Sequence, residues 1–284
     1  MGSAHAKSRG RRSDPIEHVD FRGGAGGGAR PAAWNGRAPR ERDRRALAWR
    51  NHSAGPGGKP LTAGGNESSR DHLLDGLFDE GVHATGSALV FGPDDLPAEE
   101  GALVASAIAS RQREFSTGRV LARRLLARVG KSTGPLLRDD ERVPLWPEGV
   151  VGSISHCSGF CVVALANRED QRGLGVDVEP DEPVEEGVER IVCRAEEHEW
   201  LDGAKDAEDR ARRVKLVFSV KEATYKAFYP ELRTFWSFQE VGIEVDLEHD
   251  RFRASLPEGP DVRVVEGRVA RRGGWILSTV CRGR

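Results

Sequence analysis

Four cysteines (Cys157, Cys161, Cys193, Cys281), one methionine and two tyrosines are spread over 284 residues. The cysteines form no CxxC pair and show no zinc-like His/Cys spacing. This excludes a structural zinc site and a disulfide framework, and it predicts the reduced thiols of a cytoplasmic protein. No apolar run approaches the roughly 20 residues of a transmembrane helix. The first residues also lack the apolar segment of a secretory signal, so no membrane partner is expected. A fixed repeat is missing as well, which excludes a solenoid.

Acidic charge is scarce at the start of the chain. Residues 1–70 hold 14 Lys and Arg against 6 Asp and Glu, together with 13 of the 34 glycines. With few aliphatics and no hydrophobic period, such a segment cannot bury enough apolar surface to offset its ordering entropy. Residues 1–82 therefore read as a basic, disordered and dispensable extension. Residues 71–284 carry 29 basic against 39 acidic side chains. That acidic balance disfavours a nucleic-acid-binding face on the folded part, so nucleic acid is not an expected partner.

From about His83 the pattern becomes globular. A strand is predicted at "GSALVF" (86–91), then helical periodicity over 98–130, with Leu121, Leu125 and Val129 on one stripe. The "STG" at 116–118 predicts a break between two helices, and Gly130 a helix stop. Strands follow at "GSISHC" (152–157), "FCVVALA" (160–166) and "GLGVDVEP" (173–180). Helices are predicted at 195–204 and 213–230, the second closed by Pro230, and strand-like runs fill 241–281. Strand-rich and helix-rich stretches interleave twice, which predicts an α+β fold with subdomains over 83–175 and 176–284.

Four groups of residues could carry chemistry. In "GVDVEP", Asp177 and Glu179 stand at i and i+2 of a strand and so share one face, with Val176 and Val178 on the other. Carboxylates that close repel one another, and a hard cation such as Mg²⁺ relieves the repulsion. A solvated acidic strand face is the competing reading. In "FSVKEATYKAF" (218–228), Ser219 and Glu222 fit a capping box, and Glu222 with Lys226 fits an i,i+4 helix pair. Against that ordinary reading, an apolar frame surrounds Lys221, Glu222 and Lys226, a set suited to a metal-bridged polyphosphate. Ser155 and His156 at a strand end can donate to phosphate. The arginines at 111, 113, 119, 123, 124, 128 and 138 are mostly solvated helix faces, with some able to clamp a phosphate monoester.

In that order, "GSISHC", "GVDVEP" and "FSVKEATYKAF" closely resemble the three signature motifs of the 4'-phosphopantetheinyl transferases. "REFSTGRVLAR" and "PLWPEGVVGSISHC" are similar to the long, pseudo-dimeric branch of enterobactin synthetase component D. The resemblance spans roughly residues 84–282 and leaves the basic extension outside. It implies two similar α/β subdomains about a pseudo-twofold, with coenzyme A in the cleft between them. It also implies Mg²⁺-dependent transfer of the phosphopantetheine arm to a serine of an apo acyl or peptidyl carrier protein, releasing adenosine 3',5'-bisphosphate. Carriers of polyketide, nonribosomal peptide or siderophore synthases are the implied partners, and a monomer the implied state.

By the same resemblance Asp177, Glu179 and Glu222 are the Mg²⁺ ligands, and Glu222 deprotonates the carrier serine. Lys221 and Lys226 match lysines near the transferred phosphate. Ser155 and His156 match coenzyme A contacts, and Arg111, Arg119 and Arg138 match basic residues for its 3'-phosphate and nucleotide. Arg123, Arg124 and the segment from Val184 to Arg213 are candidates for carrier docking. Two other readings fit the acid-and-lysine set: a metal-dependent nuclease or phosphohydrolase, and a non-catalytic carrier-binding module.

Overall fold

The computed structural model describes residues 70–259, 261 and 263–283, and the basic extension up to residue 69 lies outside them. Among the described residues the fold is α+β, built on two antiparallel sheets. The first is ordered β1–β3–β2, from β1 (His83–Ala88), β2 (Val150–Cys157) and β3 (Phe160–Asn167). The second is ordered β4–β8–β7–β6–β5, from β4 (Gln171–Pro180), β5 (Gly242–Asp246), β6 (Arg251–Ser255), β7 (Val264–Arg272) and β8 (Trp275–Gly283). The helices are α1 (Ala98–Ala102), α2 (Ala109–Arg128), α3 (Val188–Val192), α4 (His198–Asp202) and α5 (Ala207–Leu232). None of them is long and apolar enough to cross a membrane.

Turn chemistry and alternation account for the sheets. Ser158 and Gly159 close the β2–β3 hairpin, with Gly159 at φ +97°, and β3 is apolar along nearly its whole length because both its faces are covered. The two sheets meet where β4 runs beside β2. Val176 N–H donates to Ser153 Oγ at 3.0 Å and Val178 N–H to Ser155 Oγ at 3.3 Å. The alternate serines of "GSISHC" thus satisfy amides that the edge of β4 would otherwise leave open.

Helix α5 lies directly on β4, and the glycines of "GLGVDVEP" permit it. A Cβ on Gly175 would stand 1.9 Å from Ala223 O, and one on Gly173 would stand 2.3 Å from Ala227 O. The helix runs two residues past Pro230, whose missing N–H falls in the last turn, and ends at Arg233 in a left-handed conformation.

Two expectations are corrected here. The "STG" at 116–118 does not break a helix, because α2 continues through it. These residues are small because the helix crosses the three-stranded sheet closely there: Ser116 and Thr117 are fully buried, and a Cβ on Gly118 would meet Ile154 at 2.9 Å. Ser219 is no helix cap, since it sits mid-helix with its hydroxyl 2.9 Å from Ser278 Oγ. The cap is Asp206, which accepts from Asp209 N–H at 2.7 Å.

Core residues also precede His83. Leu73, Leu74 and Leu77 are buried in one cluster with Phe160, Val176, Val178, Trp275 and Leu277, where the rings of Phe160 and Trp275 stack 5.3 Å apart. Leu73, Leu74 and Leu77 thus tie residues 70–82, expected to be part of the extension, to this core.

Candidate active site

Asp177 and Glu179 project from β4 toward α5, and both are buried. A solvated acidic face is thereby ruled out. Across from them, α5 presents Lys215, Glu222 and Lys226 at helical spacings of seven and four, which place all three on one stripe. Lys226 Nζ donates to Asp177 Oδ1 at 2.7 Å, to Ser155 Oγ at 2.9 Å and to Val176 O at 3.2 Å. Ser155 in turn donates to Asp177 Oδ1 at 2.9 Å. Lys215 Nζ lies 3.6 Å from Glu179 Oε2. The acid pair is therefore flanked by an ammonium at each end.

Each carboxylate nevertheless keeps one oxygen outside any hydrogen bond among the described residues: Asp177 Oδ2 and Glu179 Oε2, both buried. Burial, and next the charge of Asp177, raise the Glu179 carboxyl above its ordinary range, with Glu222 adding to the effect. Among the described residues no three His, Cys, Asp or Glu side chains close a metal shell by themselves. The donor chemistry still fits a hard dication, because hard oxygen donors with no hydrogen bond stand side by side on one strand face.

Next to this pair opens a cleft of about 730 Å³. Arg111 and Arg119 from α2, Arg138 and Arg142 from the following loop, His156 from β2 and Lys226 from α5 all line it. Tyr225, Tyr229 and Phe235 form its aromatic side, the two tyrosine rings stacked at 4.8 Å. Arg119 is buried beside the ring of Phe115, 4.6 Å from its centroid, and its Nε makes no hydrogen bond. Burial, offset in part by Glu100, and then the charges of Arg138, Arg111 and Arg123 bring Arg119 down to about 10. A buried guanidinium among like charges is an anion site in its electrostatics.

His156 is neutral in this setting. Burial first, then the charges of Arg111 and Lys226, lower it to about 3. Its Nε2 accepts from Arg111 at 2.7 Å, which leaves the proton on Nδ1, 3.4 Å from Glu114 Oε2.

The structure thus brings together Asp177, Glu179, Glu222, Lys226 and Ser155 at the acid pair, and Arg111, Arg119, Arg138 and His156 along the cleft. Ser155 lies beneath the cleft as a link between Asp177 and Lys226. Lys221 is not brought there. One residue from Glu222 is a turn of about 100° around the helix, and Lys221 faces the opposite core. Its Nζ donates to Glu197 Oε2 at 2.9 Å, Val192 O at 2.8 Å and Phe238 O at 2.9 Å. Arg123 is likewise engaged within the chain, paired with the buried Glu100, while Arg124 covers the ring of Phe91 at 4.6 Å. Sequence reasoning missed Ser153, Glu114, Arg142 and Lys215. The i, i+2 serines and the i, i+4, i+7, i+11 polar stripe on α5 were the available signals.

Comparison with known proteins agrees with this architecture. The family described as the 4'-phosphopantetheinyl transferase N-terminal domain matches residues 99–166. The 4'-phosphopantetheinyl transferase superfamily matches residues 173–277. The chain is 41% identical over 176 residues to 4'-phosphopantetheinyl transferase Svp of Streptomyces mobaraensis, an alignment that covers 61% of this chain and 72% of that one. It is 35% identical over 179 residues to 4'-phosphopantetheinyl transferase Npt of Nocardia iowensis, covering 62% and 78%. With enterobactin synthase component D of Salmonella typhimurium it shares 37% identity over 133 residues, covering 43% and 50%. The chain belongs to the 4'-phosphopantetheinyl transferase superfamily.

Proposed function

We propose that the protein moves the 4'-phosphopantetheine arm of coenzyme A onto a serine hydroxyl of an apo carrier protein, with adenosine 3',5'-bisphosphate as the other product. The observation that carries this reading is the joining of an arginine-lined cleft to a buried carboxylate pair through one residue, Lys226, which lines the first and is bonded to the second. The cleft has the charge and the aromatic side that a phosphorylated nucleotide needs.

In this reading Arg111, Arg119, Arg138 and Arg142 hold the phosphates of the nucleotide. Neutral His156, fixed by Arg111 and Glu114, orients that group without adding charge. Asp177, Glu179 and Glu222 would hold Mg²⁺, which would supply positive charge to the pyrophosphate and the leaving group. Glu222 accepts the proton of the carrier serine as the serine oxygen bonds to phosphorus. The bond from that phosphorus to the nucleotide's bridging oxygen then breaks, and the leaving phosphate keeps the electron pair. Lys226 stabilises the developing charge at the junction of cleft and acid pair. The two sheets with their helices form the two subdomains, divided near β4, and a single chain suffices for the cleft.

Carrier proteins of siderophore, nonribosomal peptide or polyketide synthases are the proposed acceptors. Two relatives are named as 4'-phosphopantetheinyl transferases and another as an enterobactin synthase component, which supports this choice. The test is incubation of the full chain with coenzyme A, Mg²⁺ and a set of apo carriers, followed by intact-mass measurement. A mass increase of one phosphopantetheine per carrier, absent without coenzyme A, is expected. No increase on any carrier would overturn the reading.

A further inference from the structure

The cleft's outer end is built by a short hairpin, Arg138–Pro144, whose ends pair as an isolated bridge. Asp139 shapes its turn: its Oδ1 accepts from Glu141 N–H at 3.0 Å and from Val143 N–H at 2.8 Å. Arg142 holds a left-handed conformation there, at φ +67°. The hairpin thus presents two of the four cleft arginines, Arg138 and Arg142, from a segment outside both sheets.

What faces the hairpin from the other side is the end of α5. Arg233, the left-handed residue closing that helix at φ +51°, extends one guanidinium nitrogen to Asp139 Oδ2 at 2.5 Å and to Glu141 Oε2 at 2.8 Å. Its Nε donates to Pro230 O at 3.1 Å, and the guanidinium stands 5.9 Å from the Tyr229 ring centroid. Tyr229 is itself bonded through its side chain to Glu141. The bond to Pro230 O and the neighbouring Tyr229 ring orient the guanidinium toward its two carboxylates. Arg233 does not itself line the cleft.

We propose that Arg233 is a positioning residue for the anion end of the cleft: by clamping the Arg138–Pro144 hairpin to the end of α5, it sets where Arg138 and Arg142 meet the phosphates of the nucleotide. The inference rests on the reading of coenzyme A as donor. It makes the cleft's width depend on a contact between the segment before β2 and the helix after β4, remote from the reacting groups at Asp177, Glu222 and Lys226.

The test is steady-state transfer and direct coenzyme A binding by the full chain, comparing wild type, Arg233→Gln and Arg233→Lys. Arg233→Gln is expected to raise KM and Kd for coenzyme A roughly five-fold with kcat unchanged, the size that two partly exposed ion pairs can supply. Arg233→Lys, which keeps the charge, is expected to recover part of the loss. In an Arg138→Ala, Arg142→Ala background Arg233→Gln should add no further loss, because the residues it positions are gone. An unchanged KM in Arg233→Gln, a fall in kcat alone, or an equal extra loss in that background overturns the inference. Wild-type protein that fails to bind coenzyme A overturns the donor reading itself, and this inference with it.

Discussion

Two faces of helix α5 hold lysines five residues apart, and the two lysines live under different rules. Lys221 is sunk in the core of the C-terminal sheet. Its three bonds go to two carbonyls and to Glu197, whose carboxylate also accepts from Arg194 N–H and Ile243 N–H. Burial lowers the Lys221 ammonium below its ordinary range, but Glu197 keeps it paired. Every polar atom named there has a partner, as a buried network requires. Lys226 stands at the edge of a cleft, partly exposed, and shares its bonds with Asp177 and Ser155 beside carboxylate oxygens that no hydrogen bond satisfies. One face is saturated and the other is left with capacity. Saturation makes structure, and unspent capacity is where a ligand can bind.

The largest effect that sharpens this contrast is on the unsaturated face. Asp177→Ala is expected to lower phosphopantetheine transfer by roughly 10²–10³ or more while the chain stays folded, because it removes a charge contact at the proposed reacting centre. Transfer and unfolding scans on one preparation check it. Wild-type-like turnover in Glu222→Ala would remove Glu222 from the role of base.

On the saturated face the same kind of change acts on stability. Lys221→Met leaves Glu197 buried without its counter-charge, and a loss of about 3–5 kcal/mol is expected in denaturant unfolding. A loss below about 1 kcal/mol would mean that the Glu197 network is not closed as described.

The smallest expected effect concerns pH. His156 titrates near 3 in the folded chain against an ordinary 6.5, so it is the unfolded chain that takes up a proton first as pH falls. The stability from keeping this imidazole neutral is full above about 6.5 and is lost progressively toward about 3. Arg111, Arg119 and Glu114 from α2 and Lys226 from α5 are the charged groups that face it. His156→Gln is expected to make the decline in unfolding midpoint across that range shallower. An identical pH slope in the variant would show that His156 is not held neutral.

Most strands were legible in the sequence, because period-two alternation and Gly- or Pro-marked turns act locally, although the first, expected at 86–91, runs three residues earlier at His83–Ala88. "GSISHC" and "GVDVEP" became β2 and β4 almost residue for residue, with Asp177 and Glu179 sharing a face as the spacing required. The helix details were less legible because they depend on what lies across the interface. Ser116 to Gly118 look like a loop until the close crossing of α2 over Ile154 explains their size. Ser219 looks like a cap until the helix is seen to begin at Ala207. Lys221 sits next to Glu222 in sequence, yet 100° of helical rotation sends it to the other core. The three leucines at 73, 74 and 77 were obscured by the Gly- and Arg-rich stretch before them. The motif residues identified the acid pair, while the cleft's hairpin and its tie to α5 required the tertiary structure.

The contrast between the two faces is tested most directly by a matched pair, Lys226→Met and Lys221→Met, each measured for unfolding and for transfer at a temperature where both remain folded. The expected result is a crossing: Lys226→Met loses transfer with the smaller drop in unfolding midpoint, because its partly exposed ammonium leaves Asp177 within reach of water, whereas Lys221→Met takes the larger drop in midpoint and keeps transfer. Loss of transfer in folded Lys221→Met with full activity in Lys226→Met would contradict the assignment of the two faces.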